Sequence, residues 1–286
     1  GFPRGNFRVL SVDENYRLQP EQVLSAIQQD KARGLKPFFI AASAGTTNTG
    51  AVDPLPELAA LAKQENLWFH VDGAYGGFFN LTERGKKRLQ GVELADSVVL
   101  DPHKTLFLPY GTGALLVRDG NALKSTHTSA ADYMPSMQGD EHFMDFCELS
   151  PELTRPFRGL RIWLPFKMHG AGAFRDCLDE KLDLIDWIQE KIRDMPELEI
   201  LARADLSVMA FALRDNYPST EERNNASRQL MNLINSKQRV MLTSTMLKGV
   251  FTIRIAVVAF RTHMDRMEML LEDLKWGLSE IKQLQN

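Results

Sequence analysis

The stretch "LWFHVDGAYGGFF" at residues 67–79 carries an apolar run into a carboxylate, Asp72, and then into a turn holding Gly73, Gly76 and Gly77. A short apolar run that ends in glycines reads as a buried strand, here residues 67–71, with the acid just past its end. A second segment of the same kind, "VVLDPHKTLFL" at 98–108, sets Asp101, His103 and Lys104 among apolar residues. Burying an unpaired charge costs several kcal/mol or a large pKa shift, so these residues need a common reason.

Working outward from Asp72, helix and strand patterns alternate. "DPLPELAALAKQEN" reads as the helix before the strand, and "KPFFIAAS" as a buried strand before that helix. Earlier still, "QPEQVLSAIQQDKARG" has Pro20 at a helix start, Val23, Leu24 and Ile27 on one face, and Gly34 as a stop. On the other side a less regular crossover leads to strand "DSVVL". The chain opens "GFPRGNFRVLSVDENY", where alternating Phe7, Val9, Leu10 and Val12 predict a strand, so it reads as starting inside a domain. Repeated strand–helix–strand units predict a parallel sheet covered on both faces. Each polar cluster, "SAGTTNTG", Asp72 and Asp101 to Lys104, then falls at the carboxyl end of a strand, where open α/β sheets bind ligands.

After about residue 150 the pattern changes. "FKMHGAGAFRDCLDEKLDLIDWIQEKIRD" places Phe174, Leu178, Leu182, Ile185, Ile188 and Ile192 at helical spacing. The runs "LSVMAFAL" and "VFTIRIAVVAF" predict strands flanking a helix around Leu230, Leu233 and Ile234. A last helix, capped at Thr262, repeats Met264, Met267, Leu271, Leu274, Leu278 and Ile281, a stripe suited to core packing. Residues 1–150 are thus expected to belong to a large α/β domain and 151–286 to a smaller α+β domain.

Of the 286 residues 44% are hydrophobic and 25% charged, and the net charge is −3. That balance suits a globular core and lacks the basic field that draws nucleic acids or acidic membranes. The apolar run "VFTIRIAVVAF" is shorter than a membrane span and is interrupted by Arg254. Two cysteines, Cys147 and Cys177, make neither a disulfide framework nor a CxxC metal site, which points to a reducing cytoplasm.

A lysine flanked by Leu100, Leu106, Phe107 and Leu108 is expected to be desolvated, so that its amine is more easily neutral and can attack a carbonyl. An aspartate nearby can hold a protonated pyridine nitrogen. Together they describe a site for pyridoxal 5'-phosphate. The competing reading makes Asp72 and Lys104 a buried structural ion pair. His70, pointing the other way along its strand, is expected to be a satisfied core histidine.

At "HVDGAYGG" and "DPHK", with "AGTTNTGAVDPL" before them and "SPELTRPFRGLRIWLPFKMHG" after, the chain resembles the group II pyridoxal-phosphate-dependent amino acid decarboxylases, which include aromatic amino acid and glutamate decarboxylases. The resemblance implies the aspartate-aminotransferase-like fold (fold type I), with the chain carrying the C-terminal half of the large domain and the small domain. It implies that Lys104 forms the Schiff base, that Asp72 contacts the pyridinium nitrogen, that Ala74 lies against the ring and Thr47 near its hydroxyl, and that His103 sits beside the phosphate and the lysine. Asp101 stands where some members place an Asn near the phosphate, and an anion suits that place poorly. The family's ring-stacking histidine and phosphate turn precede the segment where this chain begins, so the chain alone is expected to bind cofactor weakly. Aromatic members carry a loop tyrosine that protonates the substrate carbon; here ungapped alignment places Phe146, and residues 134–154 contain no tyrosine.

The expected activity is decarboxylation of an L-amino acid to its amine and carbon dioxide, in a homodimer with the site at the subunit interface. Two alternatives stand beside it: aldehyde formation by decarboxylation with oxidative deamination, and a non-catalytic fragment or interaction domain.

Overall fold

In the computed structural model, which describes residues 2–127 and 146–285, two four-stranded sheets are each backed by helices. The first part of the chain runs α1 (Pro20–Ala32), β1 (Phe39–Ser43), α2 (Leu55–Glu65), β2 (Trp68–Asp72), α3 (Glu83–Arg88), β3 (Ser97–Leu100), α4 (Pro102–Thr105), β4 (Ala114–Val117) and α5 (Gly120–His127). The second runs α6 (Leu160–Arg193), β5 (Leu198–Ala202), β6 (Val208–Leu213), α7 (Thr220–Ser236), β7 (Thr243–Leu247), β8 (Val250–Ala256) and α8 (Met264–Gln285). Among the described residues no helix is long and apolar enough to cross a membrane.

The first sheet has the order β1-β2-β3-β4. β1 and β2 pair in parallel from Phe39↔Trp68 to Ser43↔Asp72, and β2 and β3 pair in parallel from His70↔Ser97 to Asp72↔Val99. β4, which periodicity did not single out, returns antiparallel to β3. Alternation along the strands sorts the side chains: Ile40, Ala42, Phe69 and Val71 are buried with Leu55, Leu58 and Ala62 of α2 and Val23 and Ile27 of α1. The opposite face carries Phe39, half-exposed and stacked on His70 at 5.7 Å. Coverage of both faces is therefore not met among the described residues, because α1 and α2 both lie on the Ile40–Phe69 side.

The expected strand at residues 7–12 also fails to form. Only an isolated bridge joins Val12 to Leu18, and Phe7 and Val9 are exposed. Alternating apolar residues make a strand only where a neighbouring strand accepts the hydrogen bonds.

The second sheet, β5-β6-β8-β7, is antiparallel throughout. Its core joins Met209, Phe211, Ile253 and Ile255 to Ile185, Ile188 and Ile192 of α6, Leu230 and Ile234 of α7, and Leu270, Leu274 and Leu278 of α8. Helix α6 serves both cores, for Leu178 and Leu182 pack under the first sheet. It is two helices joined at Gly170, whose φ of 74° and ψ of 161° no helical residue adopts. Met264, expected in the last apolar stripe, is partly exposed at the start of α8.

One acid ties the two sheets together. Asp205, in the turn before β6, accepts two bonds from Arg17 Nη2 (2.7 and 2.9 Å) and one from the Val52 amide (2.9 Å), with Arg88 Nε at 3.4 Å. Its side chain is 7% exposed, so removing it strands a partly buried guanidinium and an amide. Asp205→Ala is expected to lower unfolding stability by about 2–3 kcal/mol in urea denaturation, with an unchanged denaturant slope.

Candidate active site

The loops that follow β1, β2 and β3 meet at one end of the sheet. Their backbones interlock: the Ala44 amide donates to Asp72 O (2.8 Å), the Gly73 amide to Val99 O (3.0 Å) and the Asp101 amide to Ala74 O (3.3 Å). The glycines explain how closely they approach. At Gly45, where φ is +101°, a Cβ would lie 2.5 Å from the Tyr75 ring, and a Cβ on Gly76 would lie 2.0 Å from the Ala44 carbonyl oxygen. Any side chain at either position would push the first two loops apart.

Buried groups fix the loops from below. Asp53 accepts from the Leu18 and Ser43 amides at 2.8 and 2.7 Å; burial pushes its carboxyl above the usual range, and those bonds and Arg17 oppose the rise. Tyr75 is buried with its hydroxyl 2.9 Å from Ser207 Oγ and accepting from the Ser207 amide at 2.8 Å. Burial raises that hydroxyl far above a free tyrosine, so it stays neutral and anchors the turn. The Thr105 hydroxyl donates to the Tyr75 carbonyl (2.7 Å), joining this turn to α4.

Asp72 ends β2 in an exposed position, with Oδ1 accepting from the Ala74 amide at 3.0 Å. Lys104 lies on α4, one turn beyond the neighbouring strand β3. Its Nζ is 2.8 Å from Asp101 Oδ2, and the two side chains are 45% and 19% exposed. This overturns the expectation of a desolvated lysine. Leu106 and Leu108 are buried against Phe174, whereas Lys104 points outward from the short helix. The ion-pair alternative changes partner too, since Lys104 pairs with Asp101 and not with Asp72.

His103 Nδ1 lies 2.6 Å from the Thr112 carbonyl, which can only accept, so Nδ1 carries the proton. Its ring meets Tyr110 edge-on at 4.8 Å. Thr47 is exposed at the tip of the loop after β1, which the Thr46–Thr49 hydroxyl contact (2.8 Å) closes. His70 is satisfied by Ser97 Oγ at 2.7 Å, and burial lowers its pKa against the pull of Asp72. Phe146 is 62% exposed, and residues 134–145 of its loop lie outside the described residues. Two residues of the site escaped sequence reasoning, Tyr75 and Arg254. Arg254 did leave a signal, as a charge inside an apolar strand.

Residues 4–214 match the pyridoxal-dependent decarboxylase conserved domain. The chain belongs to that family. Among similar proteins, an aromatic-L-amino-acid decarboxylase of Bacillus atrophaeus is 35% identical over 98% of this chain and 59% of its own length. A phenylacetaldehyde synthase of Arabidopsis thaliana is 29% identical over 89% of this chain and 52% of its own. The crystal structure of Oryza sativa TDC with PLP and tryptamine superposes with a TM-score of 0.92 at 26% identity, covering 98% of this chain and 59% of that one. The chain thus spans little more than half the length of these family members, and its α/β fold is that of the pyridoxal-phosphate decarboxylases.

The interlocked loops give a direct test. Gly76→Ala puts a methyl into a backbone carbonyl and is expected to cost about 2–3 kcal/mol of stability by thermal or urea unfolding. Gly172→Ala, in α6 with open space around it, is expected to be neutral or stabilising by up to about 1 kcal/mol.

Proposed function

We propose that the chain forms part of a pyridoxal-phosphate-dependent decarboxylase of L-amino acids, yielding the amine and carbon dioxide. The observation that carries this is the placement of Asp72 and Lys104 at the carboxyl ends of two adjacent parallel strands, in register at Asp72↔Val99. A carboxylate and a primary amine so placed, both accessible, fit opposite sides of one pyridine ring. When bound, pyridoxal phosphate would supply an electron sink for the electron pair left on the substrate carbon as carbon dioxide departs.

The chain's own residues then divide the work. Lys104 would hold the cofactor through its amine. Asp72, oriented by the Ala74 amide, would keep the ring nitrogen protonated, and Ala74 and Thr47 would also contact the ring. His103, held by Thr112, has its other nitrogen 3.9 Å from Asp101 Oδ2, the carboxylate that pairs with Lys104, and would help hold the cofactor. Asp101 belongs with the amine: at 2.8 Å from Nζ it is the lysine's counter-ion, a better role for an anion than facing a phosphate.

Aldehyde formation is the second reading. Phe146, exposed where aromatic decarboxylases of this group carry a tyrosine, favours it, as does the likeness to a phenylacetaldehyde synthase.

The large-domain portion is assigned to residues 1–150 and the small domain to 151–286. A homodimer is proposed because Phe157, Leu160, Trp163, Leu164 and Met168 leave an exposed apolar row along the start of α6. A cytoplasmic setting agrees with a sequence that holds only two cysteines, Cys147 and Cys177.

Borohydride reduction of the full-length protein with pyridoxal phosphate is expected to fix the cofactor on Lys104, read by peptide mass; fixation on Lys124 or Lys167 would refute the assignment. Carbon dioxide release from a panel of amino acids, with aldehyde and peroxide assayed alongside, separates the two reactions. Asp72→Asn is expected to reduce turnover about 10³-fold or more while sparing the fold. Near-normal turnover would make Asp72 structural.

A further inference from the structure

Arg254 sits at the middle of β8, between buried Ile253 and Ile255, in a sheet that otherwise has no need of a charge there. Its guanidinium leaves the second sheet and reaches the loop after β1. Nε donates to Asn48 O at 2.8 Å, Nη2 to Thr47 O, and Nη1 to Thr243 Oγ1 at 3.0 Å on the neighbouring strand. Two adjacent carbonyls and a hydroxyl thus take three nitrogens of one planar fork, a match a lysine ammonium cannot reproduce.

The rest of that loop is secured differently. Its ends are closed locally, by the Thr46 amide on Ala51 O (2.9 Å), the Gly50 amide on Thr46 O (2.9 Å) and the Thr46–Thr49 hydroxyls. Gly50 lies on Val208 of β6, where an added Cβ would stand 2.9 Å from the valine Cβ. The tip, Thr47 and Asn48, projects beyond these contacts and is exposed. Only a group from outside the loop can fix it, and Arg254 is the group that arrives. Burial draws the guanidinium pKa down, and the charge of Tyr75 opposes this.

We propose that Arg254 is a positioning residue for the cofactor site: by holding the Thr47 and Asn48 carbonyls it sets where the Thr47 side chain stands relative to Asp72. The proposal rests on the pyridoxal-phosphate reading given above. It makes the second sheet part of the site's geometry, although none of its residues is placed against the cofactor.

The test compares wild type, Arg254→Met, Arg254→Lys, Thr47→Ala and the Arg254→Met/Thr47→Ala pair in the full-length protein, titrating pyridoxal phosphate by absorbance and recording the Tm of each cofactor-free form. Arg254→Met is expected to weaken cofactor binding about 10–100-fold, as loss of a supporting shell typically does. Arg254→Lys, which keeps the charge but not the fork, is expected to recover less than half of that loss on a logarithmic scale. In the Thr47→Ala background Arg254→Met is expected to add no more than about a factor of two, because its effect runs through Thr47. Wild-type affinity in both Arg254 variants, or full additivity with Thr47→Ala, overturns the proposal. So does a loss of affinity that follows the Tm of the cofactor-free forms across the set. If Arg254→Met does not fold, the lysine variant decides, since wild-type affinity there excludes a role for the fork. Wild type that takes no cofactor onto Lys104 overturns the underlying reading instead, a result separate from any difference among the variants.

Discussion

The close approach of two main-chain loops is the constraint on which the site depends. Ala44 and Gly45 after β1 and Tyr75 and Gly76 after β2 pack so tightly that neither glycine has room for a methyl group. Strands in a parallel sheet stand about 4.8 Å apart, but the loops beyond them normally splay. Here they are drawn together by backbone bonds between them. Gly76 and Gly77 in the opening stretch therefore serve packing: Gly76 lies against the Ala44 carbonyl and Gly77 against the Leu100 side chain.

Holding loops in contact requires support from outside the first sheet. Residues 205–208 and 254 provide it, through Asp205 on Arg17 and Val52, Ser207 on Tyr75, Val208 under Gly50, and Arg254 on Thr47 and Asn48. The Asp205 and Ser207 bonds are part-buried, where a satisfied hydrogen bond makes a polar group stabilising that would otherwise be costly. A second sheet that begins as a packing partner for α6 thus ends as a template for the loops. The two halves of the chain are joined by these contacts although each has its own apolar core.

The amine chemistry follows a different logic from the one its apolar neighbours suggest. Lys104 is flanked by leucines and a phenylalanine, yet in one turn of helix adjacent side chains point in different directions. Leu106 and Leu108 turn inward and the amine turns out, toward a carboxylate three residues earlier. Asp101 is thus the ion-pair partner of Lys104, 2.8 Å from its amine.

Periodicity alone determined most of the elements. Val23 and Ile27 on α1, the Phe174–Ile192 stripe on α6 and the apolar runs of β1, β2, β3, β6 and β8 were legible because local side-chain spacing reports which face is buried. The positions of Asp72 and Lys104 at strand ends were legible for the same reason. Tertiary structure decided what periodicity cannot encode. Residues 7–12 alternate like a strand and are not one, because strand status is a property of a hydrogen-bonded neighbour. Asp101 replaced Asp72 as the lysine's partner because side-chain direction depends on the turn that α4 makes. The target of Arg254 lies 206 residues away in the chain, and only the packing of the second sheet against the loop after β1 brings donor and acceptor together.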